Sequence, residues 1–200
     1  VRAQEPTEEE PPAVYMELIQ EAVTESAAQR WAEAHSLFRE AQQVYPNARA
    51  LRGIGMTAFE MRDYVGAYLG LSAALAETRR ALDFEQRAQV EALLRRVNGL
   101  IARYTVAHLG ESPTVNVDGV RQTLHDGYVL MTVGEHRVIV ASSDGRRATG
   151  SWIVRGGEEG PLPLEPTSVD IQPAAVAEAV TAPERSPAPV TTEREPASGV

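Results

Sequence analysis

The chain contains no cysteine and no lysine. Without a thiol there is no disulfide framework, no thiolate nucleophile and no cysteine-bound zinc, a composition that suits an exported protein. All 19 basic residues are arginine and they are scattered, which reads as GC-rich coding rather than recognition chemistry. Positive charge is also short overall, since 28 acidic residues bring the net charge to −9. The excess acid lies in residues 1–14, 106–165 and 166–200, whereas 15–105 balance to zero. No basic stripe exists to displace counterions from phosphates, so neither nucleic acid nor an anionic membrane surface is an expected partner. No apolar run approaches the about twenty residues that a transmembrane segment needs. Large apolar side chains are scarce in residues 1–12, VRAQEPTEEEPP, and again in 167–200, which are rich in Pro, Ala, Thr and Glu. Such segments bury too little surface to offset their ordering entropy, and both are expected to be disordered tails or linkers.

Between the tails, residues 13–98 carry an almost unbroken helical period. A shift of 33 positions superposes the chain on itself: Leu18 falls on Leu51, Ala22 on Gly55, Trp31 on Tyr64, Ala34 on Ala67, Phe38 on Leu71 and Ala41 on Ala74. Small residues are needed where two antiparallel helices cross closely, an aromatic residue covers the turn, and Phe38 or Leu71 fills the hairpin. Pro46 stops one helix, Asn47 can cap the next, and Asp63 is placed to cap the helix that begins near Tyr64. Two hairpins cannot close a core alone, and DFEQRAQVEALLRRVN supplies a capping helix over 84–98. Asp83 and Gln86 form its capping box; Phe84, Ala88, Leu94 and Val97 are among its apolar positions; Asn98-Gly99 ends it, with glycine free to turn left-handed.

From Leu100 the period falls to two. IARYTVAHL, PTVNVDG, GYVLMTV, EHRVIVAS, TGSWIVRG and GPLPLEP read as short strands, with corners at Asp118-Gly119, Asp126-Gly127, Val133-Gly134 and Asp144-Gly145. Residues 100–166 are therefore expected to form a small antiparallel β-sandwich, making the whole an α+β chain of two domains with flanking tails.

Ala34, Phe38, Ala41 and Pro46 in the first copy, with Gly55, Tyr64 and Ala67 in the second, resemble the tetratricopeptide repeat. Ala22 stands where that family places glycine, and the second copy ends in TRR rather than proline. The run VNVDGV…VGEHRVIVASSDG is similar to the PEGA domain, a small β-sandwich of bacterial envelope proteins, although the motif behind that name is missing. Together these resemblances imply an exported protein, periplasmic or at the cell surface. Small residues at Val1 and Ala3, ahead of Gln4, are what a signal peptidase reads; an arbitrary boundary explains them equally, and a cytoplasmic setting is the alternative. The Pro/Ala-rich 167–200 would then be a spacer to an anchor or a further domain.

Catalysis finds little footing. Glu135-His136 reads as the corner that opens a strand whose Val138 and Val140 face the core. Asp118, His125, Asp126 and Asp144 lie at turns without a recognised metal-ligand spacing, so a metal site is the lesser reading. His35 and His108 are isolated, GxSxG is absent, GIGMTAFE lacks the strand that precedes a nucleotide loop, and Glu158-Glu159 reads as a solvated turn. No catalytic residue, cofactor or metal is expected. Trp152 reads as sandwich core rather than a sugar platform.

In tetratricopeptide repeats the first helix of each hairpin lines a concave groove. The resemblance places Ile19, Val23, Arg49, Arg52, Met56 and Phe59 on that face. Two arginines beside a methionine and an aromatic ring suit an acidic or C-terminal peptide segment, although the Lys/Asn pattern that clamps carboxylates in some relatives is absent at Ile19 and Val23. The competing reading packs these residues against the chain's own neighbours. The expected function is a non-catalytic protein–protein interaction or scaffold module of the bacterial cell envelope with a protein or peptide partner. The alternative is a glycan- or peptidoglycan-contacting module acting through the sandwich.

Overall fold

A computed structural model describes residues 10–165 together with 167 and 168. The expectations for the tails fall mostly outside these residues. The architecture is α+β: five helices, then strands in two sheets.

The helices are α1 (Ala13–Ala27), α2 (Trp31–Val44), α3 (Ala48–Glu60), α4 (Tyr64–Ala76) and α5 (Phe84–Asn98), each packed on the next. The repeat seen in side chains recurs in the backbone. At the end of α1, Ala28, Gln29 and Arg30 donate to the carbonyls of Thr24, Ser26 and Glu25; at the end of α3, Met61, Arg62 and Asp63 donate to Thr57, Phe59 and Ala58. Every donor and acceptor is displaced by the same 33 positions. The bonds form a Schellman turn, which needs a left-handed residue; Gln29 (φ 58°) and Arg62 (φ 63°) supply it where glycine is usual.

The small residues are small because helices touch there. Ala22, Ala34, Ala41, Ala67 and Ala74 are fully buried. A Cβ on Gly70 would stand 2.9 Å from the backbone of Gly55, and one on Gly55 would stand 2.6 Å from Leu71 Cγ. Helix α4 carries no charged residue and is therefore suited to cover on all sides. It packs between α3 and α5 and touches the first sheet.

Caps fix the helix starts. Asn47 accepts from the backbone of Arg49 and Ala50, Asp63 from Gly66, and Asp83 with Gln86 forms a complete capping box. Two expectations for α5 are corrected. Phe84 is 90% exposed and Ala88 is exposed, whereas Leu94 and Val97 face inward as expected, together with Val90 and Leu93. Gly99 is right-handed (φ −74°), so the chain leaves α5 without a left-handed turn and enters the first strand directly.

The strands are β1 (Ile101–Thr105), β2 (Thr114–Val117), β3 (Val120–Gln122), β4 (Tyr128–Thr132), β5 (Gly134–Ala141), β6 (Arg146–Val154), β7 (Glu159–Pro161) and β8 (Thr167–Ser168). They make a three-stranded sheet, β4-β1-β7, and a five-stranded sheet, β3-β2-β5-β6-β8. Pairing is antiparallel except between β1 and β7, which run parallel. Asp118-Gly119 joins β2 to β3 with both residues at positive φ, the two-residue turn whose twist matches its strands. Val115, Val129, Met131, Val138 and Val140 are buried between the sheets. Ile101 belongs to the helical core, and Arg103 on β1 donates to Tyr68 Oη on α4 at 3.1 Å, so α4, α5 and β1 share one packing.

Gly70→Ala should destabilise by about 1–3 kcal/mol in urea unfolding, because overpacking against backbone outweighs the helix propensity gained. Gly160→Ala, whose added Cβ meets nothing within 4 Å, should change it little. Asn47→Ala should cost about 2–4 kcal/mol, through the lost cap and the buried groups left unpaired.

Candidate functional site

A groove of about 470 Å³ opens along the first helices of the hairpins. From α1 it takes Tyr15, Met16, Ile19 and Val23; from α3, Arg49, Arg52, Met56 and Glu60; from α5, Gln86 and Leu93. Trp31 and Phe38 reach it from α2, and Arg80 from the loop before α5.

Local sequence explains the placement. Asn47, fully buried, accepts the Tyr15 hydroxyl at 3.2 Å and caps α3 through the amides of Arg49 and Ala50. One residue thereby pins the start of α1 to the start of α3. The loop after α4 closes on the same place: Ala48 donates to the Arg79 carbonyl, Arg79 lies 5.4 Å from the Tyr45 ring centre, and Arg80 lies 5.9 Å from that of Tyr15. Helices α1, α3 and α5 thus begin at one end of the groove, where their partial positive charges join three guanidinium groups. Glu60 lies at the far end of α3, so the groove carries positive charge at one end and a carboxylate at the other.

The arginines are unevenly satisfied. Arg52 donates Nη2 to Gln89 Oε1 at 2.7 Å. Its Nε and the Nη1 of Arg80 are shielded from solvent and have no acceptor. Met16 and Met56 are 50% and 39% exposed, leaving flexible apolar surface beside these charges. Of the positions expected on this face, Ile19, Val23, Arg49, Arg52 and Met56 line it. Phe59 does not: its ring packs on Tyr64, and Arg96 covers it at 4.8 Å. The competing reading, packing against the chain's own residues, holds for Phe59 and in part for Ile19, which packs on two buried clusters, and for Arg52, which bonds to Gln89. Sequence reading missed Arg80; its signal was the TRR that replaces proline at the end of the second copy.

The groove wall is braced by His35. His35 Nδ1 and Thr57 Oγ1 share a hydrogen bond at 2.9 Å, and Thr57 Oγ1 also lies 2.8 Å from the Gly53 carbonyl, joining α2 to α3. Burial, and then the nearby Arg39 charge, lowers the His35 pKa from its ordinary 6.5.

In the sheets, Glu135 is exposed, while His136 is held on both ring nitrogens: Nδ1 faces Asp118 Oδ2 at 2.7 Å and Nε2 faces the Thr132 carbonyl at 2.9 Å. Asp118 also accepts from the Arg137 amide, and that bond, with His136, holds its carboxyl below the usual range. The pair closes the passage from β4 in one sheet to β5 in the other, with no ring nitrogen left for a substrate. His125 pairs with Tyr128 across the next turn, and His108 is exposed in a 3-10 turn (Ala107–Leu109). Among the described residues no group of three or more His, Asp or Glu side chains is arranged to hold a metal, and no helix is long and apolar enough to cross a membrane.

Glu158 and Glu159 are not a free solvated turn. Glu158 accepts the Tyr104 hydroxyl, whose pKa burial and this bond push up to about 12, and Glu159 pairs with Arg103. With Trp152, which packs partly on the sandwich core and edge-on to Tyr104 at 6.1 Å, they line an open cleft of about 550 Å³.

No protein-family model matches the chain, no curated protein is similar to it, and no solved structure matches it.

A lowered histidine pKa means that the fold favours the neutral ring, so the stability tied to it is present above pH 6.5 and is lost as pH falls toward the folded value. His35→Gln should flatten this part of the profile: wild type minus variant stability, measured by urea unfolding, should decline as pH falls below 6.5.

Proposed function

We propose that this chain is a non-catalytic protein–protein interaction module of the bacterial cell envelope, built from tetratricopeptide-like hairpins and a PEGA-like sandwich, which grips an acidic segment of a partner protein. The observation that carries this is the clustering of Arg49, Arg52 and Arg80 at one end of a groove whose remaining walls are largely apolar. Guanidinium groups partly withdrawn from water bind carboxylates more strongly than exposed ones, and two of the three hold an unused donor. Along α3 from Arg49 to Glu60 the groove runs about 16 Å at 1.5 Å per residue. That length accepts about five residues of extended chain. The partner segment would place acidic groups on the arginines and an apolar side chain over Met16 and Met56. The absence of cysteine fits an exported setting.

A second reading makes the sandwich a glycan or peptidoglycan contact, favoured by the cleft that sets Tyr104 and Trp152 beside Glu158 and Glu159. Aromatic faces and carboxylates are what sugar rings and hydroxyls use.

Charge reversal in the full chain, Arg49→Glu with Arg52→Glu, should remove specific prey from envelope extracts, identified by mass spectrometry, while leaving the helical circular dichroism unchanged. Retention of the same prey would sink the groove reading. Co-sedimentation with purified peptidoglycan that is lost in Trp152→Ala, and unaffected by the arginine changes, would establish the second reading instead.

A further inference from the structure

The groove has a second polar end, opposite the arginines. His35 on α2 and Thr57 on the antiparallel α3 meet at 2.9 Å. Trp31, one turn before His35, and Glu60, about one turn after Thr57, lie beyond that contact at the same end, and both line the groove. Tyr15, Tyr45, Phe59 and Tyr68 each carry an arginine of the chain over the ring. Trp31 is half-buried and has no cation over it among the described residues. Its neighbour Arg30 is engaged by both carboxylate oxygens of Glu25. Glu60 is exposed, and among the described residues no ion pair reaches it, whether from Arg30, Arg62 or another base. An indole and an unpaired carboxylate at one end of a groove suit a cation: the ring attracts its charge and the carboxylate neutralises it.

We propose that the partner segment is ampholytic: about five positions along from the acidic groups on Arg49, Arg52 and Arg80 it carries a lysine or arginine, which lies on Trp31 and pairs with Glu60. This rests on the groove reading above and specifies the composition of its occupant. The spacing follows from length, since the about 16 Å from Arg49 to Glu60 is about five residues of extended chain. A cation on a partly exposed ring and an exposed ion pair are each weak, and together they are worth about fivefold in affinity. Their larger use is discrimination. A segment acidic throughout would set a carboxylate against Glu60, whereas one that ends in a base would not.

The test titrates the full chain with two end-blocked peptides, Ac-EELSLSK-amide and Ac-EELSLSQ-amide, and with the same pair in reversed order, Ac-KSLSLEE-amide and Ac-QSLSLEE-amide. In one of the two orders the lysine peptide should bind about fivefold tighter than its glutamine counterpart, and that ratio should fall toward one in Glu60→Gln. The indole N–H resonance of Trp31, assigned with Trp152→Phe, should shift more with the lysine peptide than with the glutamine peptide at equal saturation. Equal affinities within both pairs overturn the proposal. A lysine preference that survives Glu60→Gln places the cation elsewhere and also overturns it, as does binding of none of the four peptides at about 1 mM. If the affinities are equal within each pair yet abolished by Arg49→Glu with Arg52→Glu, the groove reading stands and the cation site alone falls. If no peptide binds and the same arginine changes leave the prey in place, both fall.

Discussion

Asn47 has no exposed surface and uses every polar atom it carries. Its amide donates to Gln42 Oε1, its Nδ2 to the Tyr45 carbonyl, its own carbonyl accepts Leu51, and Oδ1 receives Tyr15, Arg49 and Ala50. An amide side chain can be buried only where it is satisfied, so this site admits one arrangement of three helices. Pro46 before it ends α2, and the cap starts α3. The arginines of the groove are therefore spaced by a constraint that lies outside the groove, a turn away from any ligand.

The 33-residue repeat was legible because close helix crossings demand small residues whatever else varies. Ala22, Ala34, Ala41, Ala67 and Ala74 were read as contact points, and all five are buried. The caps were legible for a similar reason: a carboxylate or amide before an apolar period has a definite task. The strands were legible through Asp-Gly corners and the alternation of Val138 and Val140. The Schellman turns were not, since Gln29 and Arg62 take a left-handed conformation that their side chains do not announce. Their cost is borne by the packing on either side of the turn.

Other features were hidden because periodicity gives a helix a face but not its phase. On α5 the apolar positions form two candidate stripes, one through Phe84 and Ala88 and the other through Val90, Leu93, Leu94 and Val97. The second has more branched apolar surface to bury and wins, leaving Phe84 outside. The same ambiguity misplaced Phe59, which turns toward Tyr64 and Arg96 rather than into the groove. Glu158 looked like a solvated turn because nothing local reveals Tyr104, a residue far away in sequence, as its donor. The parallel pairing of β1 with β7 was hidden likewise, for strand order is a long-range property.

The third arginine shows how a departure from a repeat can carry more information than the repeat. Had the second copy ended like the first, a proline and a capping asparagine would have led straight into α5. Instead Glu77 accepts the amides of Thr78 and Arg79, Arg80 takes a left-handed turn (φ 47°), and the loop folds back so that Arg79 meets Tyr45 while Arg80 meets Tyr15. Those two tyrosines pack edge to face at 5.3 Å, giving both cations an aromatic surface. The loop thereby adds positive charge where three helices already direct theirs. An apolar groove alone would accept any amphipathic segment in either direction. With cations gathered at one end and Glu60 at the other, reversing an acidic segment in the proposed groove would move its carboxylates from guanidinium groups to a carboxylate, so under that proposal the charge pattern would select direction as well as composition.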